Sequence, residues 1–212
     1  MSLSTRSFVT LAALVTTLAA GCASDPSAAP ALLTVPSANL GTAAPNGADA
    51  PASTPGTTQP LLAVRRIAIP EYLVARRVRY RADPSTLAEW PNTFWAERIE
   101  IGVSREFLSA LRSQLPGWTL CENNCGDRTP TLALQVDMVP MDYLRSAQKL
   151  QARARVVLSS AGGNPRVLQT QEWNYELPAS ADTAQAQAQA LAELIRQVAA
   201  ATASLINTTA PR

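Results

Sequence analysis

The 212-residue sequence predicts a single α+β domain, in which two long helices pack on one face of a mostly antiparallel sheet. Two periodicities predict these layers. Apolar and polar residues alternate in residues 131–139 and 149–159, as they do in half-buried strands. Apolar residues recur at helical spacing in residues 95–115 and 191–205. The order of strands, helix, strands and helix is typical of helices packed on one side of a sheet.

The first half of the domain supplies two strands and a helix. Residues 61–69 (LLAVRRIAI) indicate a strand that Pro70 stops, and residues 77–81 (RVRYR) alternate arginine with apolar side chains. A helix over residues 95–115 follows, because an apolar side chain recurs there every fourth residue: Trp95, Ile99, Val103, Phe107, Leu111 and Leu115. The following Pro116-Gly117 is a typical helix end.

The second half predicts a hairpin and a terminal helix. Residues 162–165 (GGNP) form a turn between the strand at 149–159 and a further strand at 167–177. Asp182 is the expected N-cap of the last helix, and Gln185 completes a capping-box pattern. The AQAQAQA repeat that follows favours a helix but has no large apolar side chains to pack against the sheet. We therefore expect the first turns of this helix to project from the domain.

The amino-terminal residues predict export and a lipid anchor. Residues 1–21 have a positive start, an apolar centre and small residues before Cys22, the pattern of a signal peptide. The apolar run is shorter than the roughly 18–20 residues that a membrane-spanning helix needs. LAAGC (residues 18–22) resembles the lipobox of bacterial lipoproteins, whose cysteine is acylated and becomes the new amino terminus. The alternatives are a plain signal peptide with an incidental cysteine, or an uncleaved anchor.

The residues after Cys22 predict where the anchor lies. Ala23, rather than aspartate, follows the cysteine, and in the lipoprotein sorting rule this favours the outer membrane of a Gram-negative cell, facing the periplasm. Residues 22–30 are poor in aromatic and charged residues, so they predict a lipidated tether. Removal of residues 1–21 leaves 191 of the 212 residues, enough for one domain with its own core.

The composition argues against several functional classes. The net charge of +2 gives no reason to expect nucleic acid as a partner, and the sequence contains no histidine. A Ser–His–Asp triad is therefore impossible. We find no nucleophile elbow, Walker loop or dinucleotide fingerprint. Glu97 and Glu100 could in principle act as an acid–base pair, but at this spacing on a helix they are ordinary solvent-facing residues. We expect neither enzymatic activity nor a cofactor.

Cys121 and Cys125 are the two cysteines that remain once Cys22 is acylated. In an exported protein an even pair predicts a disulfide, here closing a small loop. The alternative is a metal site that adds Glu122 or Asp127. Structural zinc usually takes four cysteine or histidine ligands, so we expect the disulfide and no metal.

Two groups of residues are candidates for contacts with partners. The arginines at 65, 66, 76, 77, 79 and 81 could bind anionic headgroups, but arginines that alternate along strands more often pair with acidic neighbours. The aromatic residues Trp90, Phe94 and Trp95 crowd the predicted start of the first helix. They either pack that helix on the sheet or form a partner site, since tryptophan and tyrosine are enriched among interface hot spots.

The ordered motifs resemble those of the ABC-transport auxiliary lipoproteins (PqiC/YmbA type). In that family a strand ends at a proline followed by a Tyr-Leu pair, matched here by Pro70 and Tyr72-Leu73. A second strand follows, and a Trp-Ala-Glu triplet, matched by residues 95–97, opens the first helix. The lipobox, the Pro-Gly-Trp at residues 116–118, two long strands and a terminal helix come in the same order.

The resemblance also implies how the domain begins. Family members start with a strand shortly after the lipidated cysteine, and residues 31–35 (ALLTV) occupy that place, without the usual tyrosines. We therefore expect the domain to cover residues 31–209, with residues 36–60 as a flexible insertion.

The functional implication is an accessory, non-catalytic subunit of a lipid transport system that supports the cell envelope. Such lipoproteins work beside an MCE-domain protein and, in many systems, an ABC permease and ATPase, and a homo-oligomer is compatible with this role. Tyr72, Leu73 and Trp90 are our candidate partner-binding residues, because the resemblance is densest there and turns often carry recognition. The alternative is a lipid-anchored scaffolding or assembly protein unrelated to transport.

Overall fold

A computed structural model describes residues 29–37, 59–122 and 125–209 of the chain. Cys22, the predicted signal peptide and most of the predicted insertion lie outside these residues. The elements in chain order are β1 (Ala31–Leu33), β2 (Leu61–Val64), β3 (Arg77–Arg81), β4 (Leu87–Trp95), α1 (Ile99–Gln114), β5 (Thr119–Glu122), β6 (Leu132–Leu144), β7 (Lys149–Ser160), β8 (Val167–Pro178) and α2 (Ala184–Thr209). Two 3₁₀ turns, Glu71–Leu73 and Arg145–Ala147, follow β2 and β6.

The described strands form one eight-stranded mixed sheet. Strand β6 pairs antiparallel with β7, and β7 pairs antiparallel with β8. On its other side, the first residues of β6 pair parallel with β2, and its last residue pairs parallel with β3. Strand β4 pairs antiparallel with β3 and parallel with β1, and β5 lies parallel to β2. The predicted α+β domain is confirmed, and the parallel pairs make its sheet mixed.

The core lies between the sheet and the two helices. Alternate residues of β6 and β7 are buried, and they meet the apolar stripes of α1 and α2. Side chains with no exposed surface come from both layers: Leu134, Val136, Ala154, Val156, Val103, Phe107, Leu111, Leu194, Ile195 and Val198. The helical stripes predicted from spacing are therefore the faces that hold each helix on the sheet.

The other face of the sheet carries paired charges. Arg77 and Arg79 of β3 both reach Glu89 on β4, at 3.3 Å and 3.2 Å, and Arg81 reaches Asp142 on β6 at 3.0 Å. These contacts confirm the expectation that the β3 arginines pair with acidic neighbours on a solvated face.

Strand β4 corrects the predicted start of the first helix. Trp95, taken as the first helical residue, is the last residue of β4, and α1 begins at Ile99. Between Trp90 and Thr93 the β3–β4 register shifts, and Asn92 has a φ of 47°. This bulge accommodates Pro91, which has no N–H to donate to a ladder. Trp95 lies four residues before Ile99, which is also the spacing of the apolar residues within α1. The sequence pattern alone therefore could not show where β4 ends and α1 begins.

The start of α2 differs from both expectations for it. Thr183 caps the helix, because its Oγ1 accepts a hydrogen bond from the Ala186 N–H at 3.1 Å. The predicted cap, Asp182, instead pairs with Arg145. The first turns do not project: Ala184, Ala186 and Ala188 are each 3–4% exposed. Their small side chains let the helix approach the sheet closely, so the prediction of a projecting segment was wrong.

Neither α1 nor α2, the helices of the described residues, has the length and hydropathy needed to cross a membrane.

Candidate partner-binding site

The Tyr72 side chain links the first 3₁₀ turn to the sheet. Its hydroxyl donates to Asp142 Oδ1 at 2.9 Å, the oxygen that Arg81 also reaches. The Arg81 guanidinium lies 5.4 Å from the centroid of the Tyr72 ring. Burial raises the pKa of the Tyr72 phenol, and the hydrogen bond to Asp142 raises it further. The ring is half-buried, so one part is fixed on the sheet while another part meets solvent.

The backbone of this turn is held from β3. Arg79 Nη1 donates to the Tyr72 carbonyl at 2.8 Å, while its Nε donates to Glu89 at 3.2 Å. The Leu73 N–H donates to the Pro70 carbonyl at 2.9 Å, and the half-buried Leu73 side chain packs against the core. Tyr72 and Leu73 therefore lie on a turn fixed at both ends, whose outer surface is open to a partner.

Trp90 lies in the interior of the domain. It is 6% exposed, and its Nε1 donates to Gln187 Oε1 at 2.6 Å. Gln187 Nε2 donates in turn to the Arg79 carbonyl at 2.7 Å. This chain of hydrogen bonds ties β4 to α2 and β3. Burial favours the packing role that the sequence left open for Trp90, while direct contact with a partner stays a prediction for Tyr72 and Leu73.

Arg145 covers the Trp90 ring from the second 3₁₀ turn. Its guanidinium lies 4.4 Å from the Trp90 ring centroid and 4.9 Å from that of Tyr80. It also donates to the Tyr80 hydroxyl at 2.8 Å and to Asp182 at 2.9 Å. These hydrogen bonds raise the pKa of Arg145, and the one to Asp182 has the larger effect. Arg145 thus closes the end of the core where β6 passes into β7.

A cleft of about 360 Å³ is lined by the residues that follow Leu73 in the chain. Its walls are the segment before β3 and the link from β4 to α1, with these lining residues: Val74, Ala75, Arg76, Trp95, Ala96, Glu97, Arg98, Ile99 and Glu100. The floor is apolar, and charged side chains surround it. Glu97, at the rim, accepts hydrogen bonds from Arg105 Nη1 at 2.7 Å.

The cysteine pair lies on edge strand β5 and in the loop after it. The structure joins Cys121 to Cys125 in a disulfide, with the two Cα atoms 5.3 Å apart. Among the described residues, no group of three or more cysteine, aspartate and glutamate side chains is arranged to hold a metal ion.

The Tyr72–Leu73 turn was predicted from the sequence, but the residues that support it were not. Asp142 reaches the site from β6, and Gln187 reaches it from α2. Nothing in the sequence around either residue indicates that it contacts this region. One usable signal was the acidic residue near the end of β6, because an arginine-rich strand needs acidic neighbours.

Solved structures share this fold. The crystal structure of an uncharacterized protein is 19% identical, with a TM-score of 0.64 over 84% of this chain and 99% of that one. A DUF330 protein from Xanthomonas campestris, XCC0632, is 17% identical, with a TM-score of 0.56 over 74% of this chain and 90% of that one. At these identities the likeness establishes the fold alone. No curated protein matches the chain.

The family comparison goes further than the fold. The model of the family described as ABC-type transport auxiliary lipoprotein component matches residues 44–203, which are most of the chain and include every element from β2 to the greater part of α2. The chain belongs to the family of ABC-type transport auxiliary lipoprotein components.

Proposed function

We propose that this protein is a non-catalytic accessory subunit of an MCE/ABC-type lipid transport system that supports envelope integrity. The observation that carries the proposal is the family match over residues 44–203. Its counterparts are an MCE-domain protein and the associated ABC permease and ATPase. The lipobox-like residues 18–22 support anchoring through Cys22 at the periplasmic face of the outer membrane.

The surface around Tyr72 and Leu73 is where we place the contact with the MCE-domain protein. A turn with a fixed backbone presents its side chains without a large loss of conformational entropy on binding. Arg79 and Asp142 supply that fixation through the hydrogen bonds at 2.8 Å and 2.9 Å. A tyrosine held in this way, with part of its ring in solvent, has the chemistry typical of an interface hot spot.

Affinity isolation tests the proposed role. The full-length tagged lipoprotein is isolated from gently solubilised membranes of its own cells, and the MCE-domain protein and permease are detected with specific antibodies. We expect both to be enriched over a tagged, unrelated outer-membrane lipoprotein. A lipoprotein that returns without either transporter component, even after mild cross-linking, would favour the scaffolding alternative and contradict the proposal.

A further inference from the structure

The carboxylate of Glu100 is buried beside the cleft with unused capacity to accept hydrogen bonds. The sequence predicted a solvent-facing position for Glu100, and that prediction was wrong: the residue is 6% exposed and belongs to the first turn of α1. Arg98 forms an ion pair with Oε1 from the solvent side, where 67% of the Arg98 side chain is exposed. Within the described ranges, no group other than Arg98 donates to either oxygen of Glu100.

Such an arrangement is costly in the free protein. A carboxylate removed from water loses several kcal/mol of hydration unless charges or hydrogen bonds replace it. The other charges of the cleft are engaged elsewhere: Arg105 binds Glu97, and the Arg76 guanidinium lies 5.9 Å from the Phe94 ring centroid. In the part of the chain that the structure describes, Arg98 is the charged partner of Glu100, and its exposure leaves it free to move aside.

We propose that this cleft binds a cationic side chain, an arginine or lysine, presented by a protein partner. The ammonium or guanidinium group pairs with Glu100, the apolar stem of the side chain covers Trp95 and Ile99, and Arg98 is an internal competitor that the incoming cation displaces. The inference rests on the proposed function for the existence of a partner, and it adds the chemistry that the partner presents. The lining of the cleft begins at Val74, the residue that follows Leu73 in the chain.

A small probe tests the cleft without any transporter component. N-acetyl-L-arginine amide is titrated into the isotopically labelled protein, and backbone and indole NMR shifts are followed. N-acetyl-L-citrulline amide, nearly the same shape without the charge, is the matched control ligand. We expect saturable shifts at Trp95, Ile99 and Glu100 with the arginine probe, and binding weaker by about tenfold or more with citrulline. Equal binding of the two probes, shifts centred elsewhere, or no saturable binding would overturn the proposal.

Substitutions separate the roles of the charged residues. Glu100→Gln should weaken the arginine probe by about tenfold, since it removes the charge and keeps the shape. Arg98→Ala should strengthen binding, because the competitor is gone. Glu106→Gln is the control, since Glu106 is also 6% exposed on α1 and pairs with Arg105 outside the cleft. If Glu100→Gln does not fold, the citrulline comparison and Arg98→Ala still decide: unchanged or weaker binding in Arg98→Ala would contradict the displacement.

Failure of the cleft and failure of the transport role give different results. A cleft that binds the probe in a protein that never co-isolates with an MCE system supports the site and contradicts the transport role. Co-isolation from cells together with a cleft that fails these tests supports the transport role and contradicts the site.

Discussion

Replacement of Trp90 by alanine should cost this protein a large part of its stability. The indole is 6% exposed, and it lies 5.0 Å from the Tyr80 ring, between centroids, and 4.4 Å from the Arg145 guanidinium. Removal of a buried tryptophan side chain costs about 3–5 kcal/mol. The lost indole N–H leaves the Gln187 oxygen, buried at 7% exposure, without its donor, which adds about 1–3 kcal/mol. The expected total is about 4–6 kcal/mol, allowing for partial relaxation around the gap.

Urea unfolding followed by circular dichroism measures this change. In thermal unfolding of a domain of this size, each kcal/mol corresponds to about 2–4 °C of melting temperature, so we expect Tm to fall by about 8–24 °C. Trp90→Phe keeps most of the packing but leaves Gln187 without a donor, and should cost about 1–3 kcal/mol. Trp173→Ala on β8 is the control. The Trp173 ring is half-buried, so its removal should lower the free energy of unfolding by only about 1–2 kcal/mol.

A small effect would refute the assigned role. If Trp90→Ala lowers the free energy of unfolding by less than the Trp173→Ala control, the ring is not a packing element between β4 and α2. If that same variant also loses the transporter partner while it stays fully folded, Trp90 is a contact residue, as one of the two sequence-based interpretations held.

Three further predictions concern the anchor, the disulfide and pH. Cys22→Ser should abolish incorporation of an alkyne fatty acid, and equal labelling of variant and wild type would contradict the anchor. We expect the Cys121–Cys125 disulfide to contribute about 1–3 kcal/mol to the free energy of unfolding, because its loop is short. Intact mass should show no alkylation of Cys121 or Cys125 before reduction, and two alkylated cysteines would contradict the disulfide. Because the folded protein raises the pKa of Tyr72 above its ordinary value of 10.0, the unfolded phenol loses its proton first, and the free energy of unfolding should fall as pH rises above about 10. Tyr72→Phe should make that fall shallower in urea titrations between about pH 8 and 11, and an unchanged slope would contradict the assignment.

The sequence predicted the elements whose pattern is local and long. Strands β6 and β7 are 13 and 12 residues long, and each alternates over most of its length, so their faces could be assigned without knowledge of their partners. The stripes of α1 and α2 were equally clear, because both helices bury one face against a single sheet.

Elements that depend on distant partners escaped prediction. Strand β5 has four residues and is formed by parallel pairing with β2, about sixty positions earlier in the chain. Strand β4 contains Pro91 and a bulge, two features that obscure a period of two. Short and irregular strands of this kind are specified by their neighbours in the sheet rather than by their own sequence.

The candidate site shows the same division. The Pro70–Leu73 turn could be predicted because Pro70 ends a strand pattern and the motifs that resemble the family are densest there. The hydrogen bonds that fix it join residues 70 and 108 positions apart, Tyr72 with Asp142 and Arg79 with Gln187. The burial of Trp90 follows from the approach of α2, whose alanine-rich start the sequence had placed outside the core.

Site-specific photo-cross-linking tests the central claim most directly. In one variant, a benzoylphenylalanine replaces Glu71, an exposed residue of the 3₁₀ turn next to Tyr72. In a second variant, it replaces the exposed Gln169 on the distant β8. Both variants are expressed as full-length lipoproteins in cells that contain the MCE-domain protein and its ABC partners. Our account predicts that irradiation joins the Glu71 variant to the MCE-domain protein and leaves the Gln169 variant without that adduct. An adduct from Gln169 alone, or none from either position in cells that contain both proteins, would contradict it.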